Sequence, residues 1–148
     1  MTFPAWIHRE IQARLVELLT PIFPNAKVMK EMPFQFGVRT KRSADVGITS
    51  LARSAAAARA GILMGTPEMV IEVISPSNSF SDVMKFKRTC EENDTQVFWV
   101  VDPDTRTVAV SGGKGDGLDT YGIGEQVPIR LFDVTSRLEV LRIFDGIV

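Results

Sequence analysis

Residues Met69-Val70-Ile71-Glu72-Val73-Ile74 form a short apolar run rich in β-branched side chains, with one carboxylate in its middle. Such a run marks a strand covered on both faces, which points to a layered arrangement in which helices pack on a sheet. Glu72 stands out against that background. An ionised carboxylate is costly to bury unless a cation or hydrogen-bond donors compensate it. Ser75-Pro76-Ser77-Asn78 ends the strand, and Ser79 or Ser81 can cap a helix running to about Asn93. Asp82 falls in its first turn, where the helix dipole favours negative charge.

Around this strand the chain divides into recognisable pieces. Ile7, Ile11, Leu15, Leu18, Leu19 and Ile22 recur at helical spacing after Pro4, and Pro21 with Pro24 marks the exit. The opposite face carries Arg9, Glu10, Arg14 and Glu17, so this opening helix is amphipathic and lies against a sheet. Extended pieces are expected at Lys27 to Glu31, Phe34 to Arg39 and Ala44 to Thr49, forming two or three antiparallel strands. Leu51 to Gly65 is Ala-rich, but Gly61 and Gly65 interrupt it and no apolar stripe appears; a loop with partial helix is expected. A second buried strand at Gln96 to Val101 turns through Asp102-Pro103-Asp104-Thr105 into Thr107 to Ser111. Gly112 to Gly117 is a glycine-rich excursion that lacks the spacing and following helix of a phosphate-binding loop. The tail holds a short strand near Pro128 to Phe132 and an apolar closing segment, Leu138 to Phe144, which periodicity leaves open between helix and strand. The expected architecture is α/β (α+β), a central mixed β-sheet flanked by helices, in a single domain over residues 1–148.

Composition narrows the function classes. With 148 residues, 45% hydrophobic and 24% charged, the chain can bury one core and is neither disordered nor fibrous. A lone cysteine, Cys90, and a single histidine, His8, exclude an intramolecular disulfide and a zinc cluster, and a reducing cytoplasm is expected. No signal peptide is expected, and no stretch approaches the roughly 18 apolar residues of a membrane span. The formal net charge of -1 gives no global sign of a polyanionic partner. That sum conceals an asymmetry: residues 1–65 hold 9 Lys/Arg against 4 Asp/Glu, and the remainder 8 against 14. Any contact with nucleic acid is therefore expected in the basic stretch from Lys27 to Arg59. It is expected to be weak, strongly salt-dependent and helped by a homodimer or a metal.

Two carboxylates carry the chemical signal. Asp45 opens the third extended piece and Glu72 lies inside the buried strand, so a shared divalent cation is a natural partner. Mg²⁺ takes one or two carboxylates and completes its shell with water and phosphate oxygens, which suits phosphodiester hydrolysis. The plainer alternative is that Asp45 ends a strand in water and Glu72 pairs with Arg42 or another cation. Arg39, Lys41 and Arg42, beside Asp45, are the candidate phosphate contacts. His8 shows no acid or base partner and reads as a capping or packing residue, while Cys90 and Trp99 read as core.

Three stretches, Arg42-Ser43-Ala44-Asp45-Val46, Pro67 to Ser77 with its Glu72-Val73-Ile74-Ser75-Pro76-Ser77 string, and Phe98-Trp99-Val100-Val101-Asp102-Pro103, point to a family. Together they resemble the large bacterial Uma family of predicted restriction endonucleases, of the PD-(D/E)XK nuclease superfamily. The helix entry from His8 through Gln12 to Leu15 is similar to its opening segment. The resemblance covers nearly the whole chain. It implies a restriction endonuclease-like fold, a Mg²⁺- or Mn²⁺-dependent endonuclease acting on DNA, Asp45 and Glu72 as catalytic and metal-binding acids, and the Ile74 carbonyl as a third ligand. The chain departs from the pattern at the lysine. Ile74 stands where the general motif has Lys, and Phe86 where the family places a helix lysine. On a helix, Val83, Phe86, Lys87 and Cys90 share one face and Lys85 points roughly the other way, so Lys87 is the candidate substitute. Glu10 or Glu17 could add a further acid. The alternative is a catalytically impaired module of the same fold that binds DNA or protein.

Overall fold

The structure, a computed structural model, describes residues 3–111 and 117–148; Gly112 to Asp116 of the glycine-rich excursion lie outside the described residues. In chain order the elements are α1 (Phe3–Leu19), β1 (Ala26–Phe36), β2 (Thr40–Ser50), α2 (Leu51–Ala60), β3 (Leu63–Met64), β4 (Met69–Val73), α3 (Phe80–Glu92), β5 (Val97–Asp102), β6 (Thr107–Ser111), β7 (Asp119–Tyr121), β8 (Gln126–Leu131), β9 (Val134–Glu139) and α4 (Val140–Phe144). Seven strands form one sheet in the order β3-β1-β2-β4-β5-β6-β7, and β8 pairs with β9 apart from it. The β4–β5 pair is parallel and its crossover is α3; β1 with β2, β2 with β4 and β5 with β6 are antiparallel. This is the expected mixed sheet flanked by helices.

The strand that frames Glu72 is covered on both sides. Met69, Ile71 and Val73 enter the larger core with Ile11, Leu15 and Leu19 of α1, the β8–β9 hairpin and α4. Val70 enters a second core with Val83 and Cys90 of α3, Phe34 of β1 and Phe98 of β5. Alternation along β4 thus sends Glu72 to the same side as Val70, toward α3.

Two expectations change and one open alternative is resolved. The first two extended pieces are one long strand, β1, within which Glu31 takes φ 51. The Ala-rich segment is a full helix although none of its residues is buried. Its ends explain it: the Ser50 hydroxyl accepts from the Arg53 amide, and Gly61 closes it in the left-handed region at φ 84. Arg53 then ties the helix to the sheet, donating to Glu68 Oε1 at 2.6 Å and to the carbonyls of Thr66 and Met64. The closing apolar segment is both things at once, strand through Glu139 and helix from Val140.

Candidate functional site

Asp45 and Glu72 meet where two strands part. The β2–β4 ladder ends with Val46 opposite Ile71, and one further step of that register sets Asp45 across from Glu72. Beyond that step side chains replace the backbone ladder. The Asp45 amide donates to Glu72 Oε2 at 2.8 Å, and the Val73 amide donates to Asp45 Oδ2 at 2.8 Å. Each carboxylate is thereby fixed by the backbone of the opposite strand. The same point is a twist in β2: Val46 belongs to the α1-side core and Ala44 to the α3-side core, although residues two apart share a face in a regular strand. Glu31, in its left-handed conformation on β1, lies between the pairs Lys30 with Val46 and Met32 with Ala44.

Helix α1 supplies two further groups one turn apart. His8 Nε2 lies 3.1 Å from Asp45 Oδ2, and Gln12 Nε2 donates to the Asp45 carbonyl at 3.0 Å. The hydrogen bond to Asp45 raises the proton affinity of His8 above its ordinary value, against the opposing effect of burial. From its spacing alone His8 reads as a capping or packing residue, and Gln12 is marked only by the resemblance of the opening segment. The available signal was a pair of polar residues at i, i+4 beside the apolar stripe of α1, with Gln12 only 2% exposed. Glu10 and Glu17, the suggested extra acids, are exposed and border neither cleft.

Glu72 carries the electrostatic tension. Burial, then the charge of Asp45, pushes its carboxyl up to about 8, so without a cation it keeps its proton at neutral pH. The alternative in which Glu72 pairs with Arg42 is not what the structure contains. Among the described residues the ion pairs are His8 with Asp45, Arg53 with Glu68 and Lys87 with Glu91.

The two acids open onto neighbouring clefts that share Asn78. Glu72 borders one of about 430 Å³ with Arg42, Ser43, Asp82, Lys85, Phe86 and Thr89. Asp45 borders one of about 770 Å³ with His8, Arg9, Gln12, Glu31 and Ser75 to Asn78. Helix α3 starts from a capping box of Ser79 and Asp82, and it turns the stripe Asp82, Lys85, Phe86 and Thr89 toward the Glu72 cleft. The adjacent stripe, Val83, Lys87, Cys90 and Glu91, is buried.

This rotation corrects the lysine expectation. Lys87 lies on the inward stripe, as its spacing predicts, but its ammonium is fully buried and donates to Glu91 Oε1 at 2.9 Å. Ser111 donates to the other Glu91 oxygen at 2.6 Å. Lys87 borders neither cleft, whereas Lys85, expected to face away, borders the one with Glu72. Arg39 and Lys41 are exposed near the β1–β2 turn, and Arg42 reaches the cleft wall. The Ile74 amide donates to the Val101 carbonyl at 2.8 Å, which holds its peptide at the end of β4. Cys90 and Trp99 are core, as expected; burial pushes the Cys90 thiol up to about 12, leaving it inert as a nucleophile.

No group of three or more His, Cys, Asp or Glu side chains converges on a metal position among the described residues. The donors available to a cation at this point would be two carboxylates, in each of which the second oxygen, Asp45 Oδ1 and Glu72 Oε1, accepts no hydrogen bond among those residues. Two hard oxygen donors fit Mg²⁺ or Mn²⁺, which fill the remaining positions with water or phosphate oxygens, and do not fit a closed zinc site.

The fold itself is nuclease-like. The chain is similar to the crystal structure of a "putative nuclease belonging to DUF820" from Anabaena variabilis, with a TM-score of 0.81 and 21% identity over 96% of this chain and 82% of that one. At that identity the likeness is one of fold. The family is defined more closely: the Uma2 family model, described as "Putative restriction endonuclease", matches residues 1–139, and the chain belongs to that family. No curated protein matches.

Proposed function

We propose that the chain is a metal-dependent endonuclease that hydrolyses phosphodiester bonds of DNA at the Asp45–Glu72 pair. The observation that carries this reading is the pair itself, two carboxylates pinned to opposite strand ends without a compensating cation on Glu72. Membership of the Uma2 family supports it. Asp45 and Glu72 would hold Mg²⁺ or Mn²⁺, with the Ile74 carbonyl as a further oxygen donor at the same strand end. When bound, such a cation polarises a phosphoryl oxygen and acidifies water. The protein's own part is positional. His8 and Gln12 fix the carboxylate and the backbone of Asp45, the β4–β5 ladder fixes Glu72, and Asn78 and Ser43 offer neutral donors beside the phosphate path.

Supercoiled plasmid incubated with the protein and Mn²⁺ or Mg²⁺ is expected to be nicked and then linearised, and excess chelator is expected to stop the reaction. Intact plasmid under all metal conditions contradicts the reading. The burial of Lys87 against Glu91 favours a second reading, a module of the same fold that binds without cutting. Retention of labelled DNA with no cleavage in the same samples selects it.

A further inference from the structure

We propose that Arg42, within cation–π reach of the Phe86 ring, is a phosphate-binding cation of the Glu72 cleft, and that Phe86 is its positioning residue. The proposal rests on the endonuclease reading and assigns the positive charge that the buried Lys87 does not bring to the cleft.

The Arg42 guanidinium carbon lies 6.0 Å from the Phe86 ring centroid, within reach of a cation–π contact. Phe86 is a fixed platform, since its ring packs against Phe34 at 6.2 Å and edge-on to Phe98 at 6.1 Å. Phe34 stands directly across from Arg42 in the β1–β2 register, so both side chains project from the same face. Arg42 makes no ion pair among the described residues, which leaves its charge available to a ligand. The cleft it faces also contains Glu72 and Asp82, and an anionic phosphodiester entering such a space needs a cation on the wall. A guanidinium beside the ring face can present a planar fork to two phosphate oxygens, which an ammonium cannot do. Phe86, at the usual lysine position, thereby positions Arg42, while Lys85 is the second basic residue on the wall of the same cleft.

The test compares wild type, Arg42→Ala, Arg42→Lys, Phe86→Leu and Arg42→Ala/Phe86→Leu. It reads cleavage in Mn²⁺, affinity for a short DNA duplex in Ca²⁺, and Mn²⁺ affinity. Arg42→Ala is expected to lower duplex affinity and cleavage by about 10- to 100-fold and to reduce the salt slope by about one, with Mn²⁺ affinity within about twofold. Arg42→Lys is expected to recover only a small part. Phe86→Leu is expected to be harmful beside Arg42 and neutral in its absence, an interaction that a purely structural role does not produce. Should Phe86→Leu fail to fold, the exposed Arg42 variants decide alone. Wild-type cleavage together with an Arg42→Ala variant that cuts equally well overturns the proposal and leaves the endonuclease reading standing. A wild type that neither binds nor cuts DNA overturns both.

Discussion

Asp45→Asn is expected to lower metal-dependent cleavage by about 10³-fold while leaving the fold in place. Asp45 makes four hydrogen bonds through three atoms: its Oδ2 takes the Val73 amide and His8, its amide donates to Glu72, and its carbonyl takes Gln12. Asparagine keeps the backbone bonds, and its oxygen can still accept from Val73, so the loss of stability should stay near about 1 kcal/mol. What disappears is the charge, and with it the attraction for a divalent cation. His8→Asn is expected to be milder, about 10-fold in metal affinity, as befits a group that orients a ligand. Single-turnover cleavage with urea unfolding of the same samples separates the effects. An Asp45→Asn variant that cuts as fast as wild type removes Asp45 from the chemistry.

The second large effect runs in the opposite direction for stability. Glu72→Gln should destroy metal-dependent activity and yet stabilise the metal-free protein at alkaline pH. The Glu72 carboxyl titrates near 8 in the folded chain against an ordinary value of 4.5, so between those values the folded state holds a proton that the unfolded state has released. That contribution to stability is fully present below about pH 4.5 and is lost as pH rises through about 8. Glutamine carries no such titration. In chelator at pH 8.5 the variant should exceed wild type by about 4 to 5 kcal/mol, and the difference should vanish near pH 4.5. Saturating Mn²⁺ narrows the difference, because it stabilises only the chain that binds it, by about 2.7 kcal/mol at a hundredfold excess over Kd. Urea titrations at the two pH values check this. A variant no more stable than wild type at pH 8.5 refutes the strained carboxylate.

How much of this was legible in the sequence varies by residue. Glu72 was conspicuous because a carboxylate interrupts a β-branched run, and burial on both faces of β4 follows from that composition. Its contact with Asp45 was not, since strand register across 27 residues depends on pairing that local pattern does not encode. Only partial helix was expected at α2 because none of its residues is fully buried, so the amphipathic signal was weak; its two caps and the packing of Ala57 on the α3-side core hold it. His8 and Gln12 needed the packing of α1 across β2. On α3, helical spacing placed Val83, Lys87 and Cys90 together correctly, but it grouped Phe86 with them, whereas Phe86 lines the cleft beside Lys85. One turn-length clue was present in the chain: Lys87 and Glu91 stand at i, i+4, the spacing of an internal ion pair.

Calorimetric titration of the metal-free protein with Mn²⁺ at pH 7, in two buffers of different ionisation enthalpy, tests the Asp45–Glu72 pair as a cation site most directly. The prediction is saturable binding coupled to proton release, because Glu72 is largely protonated at that pH without metal, with both signals absent in Glu72→Gln. Absence of binding by the wild type, or binding that survives Glu72→Gln unchanged, contradicts it.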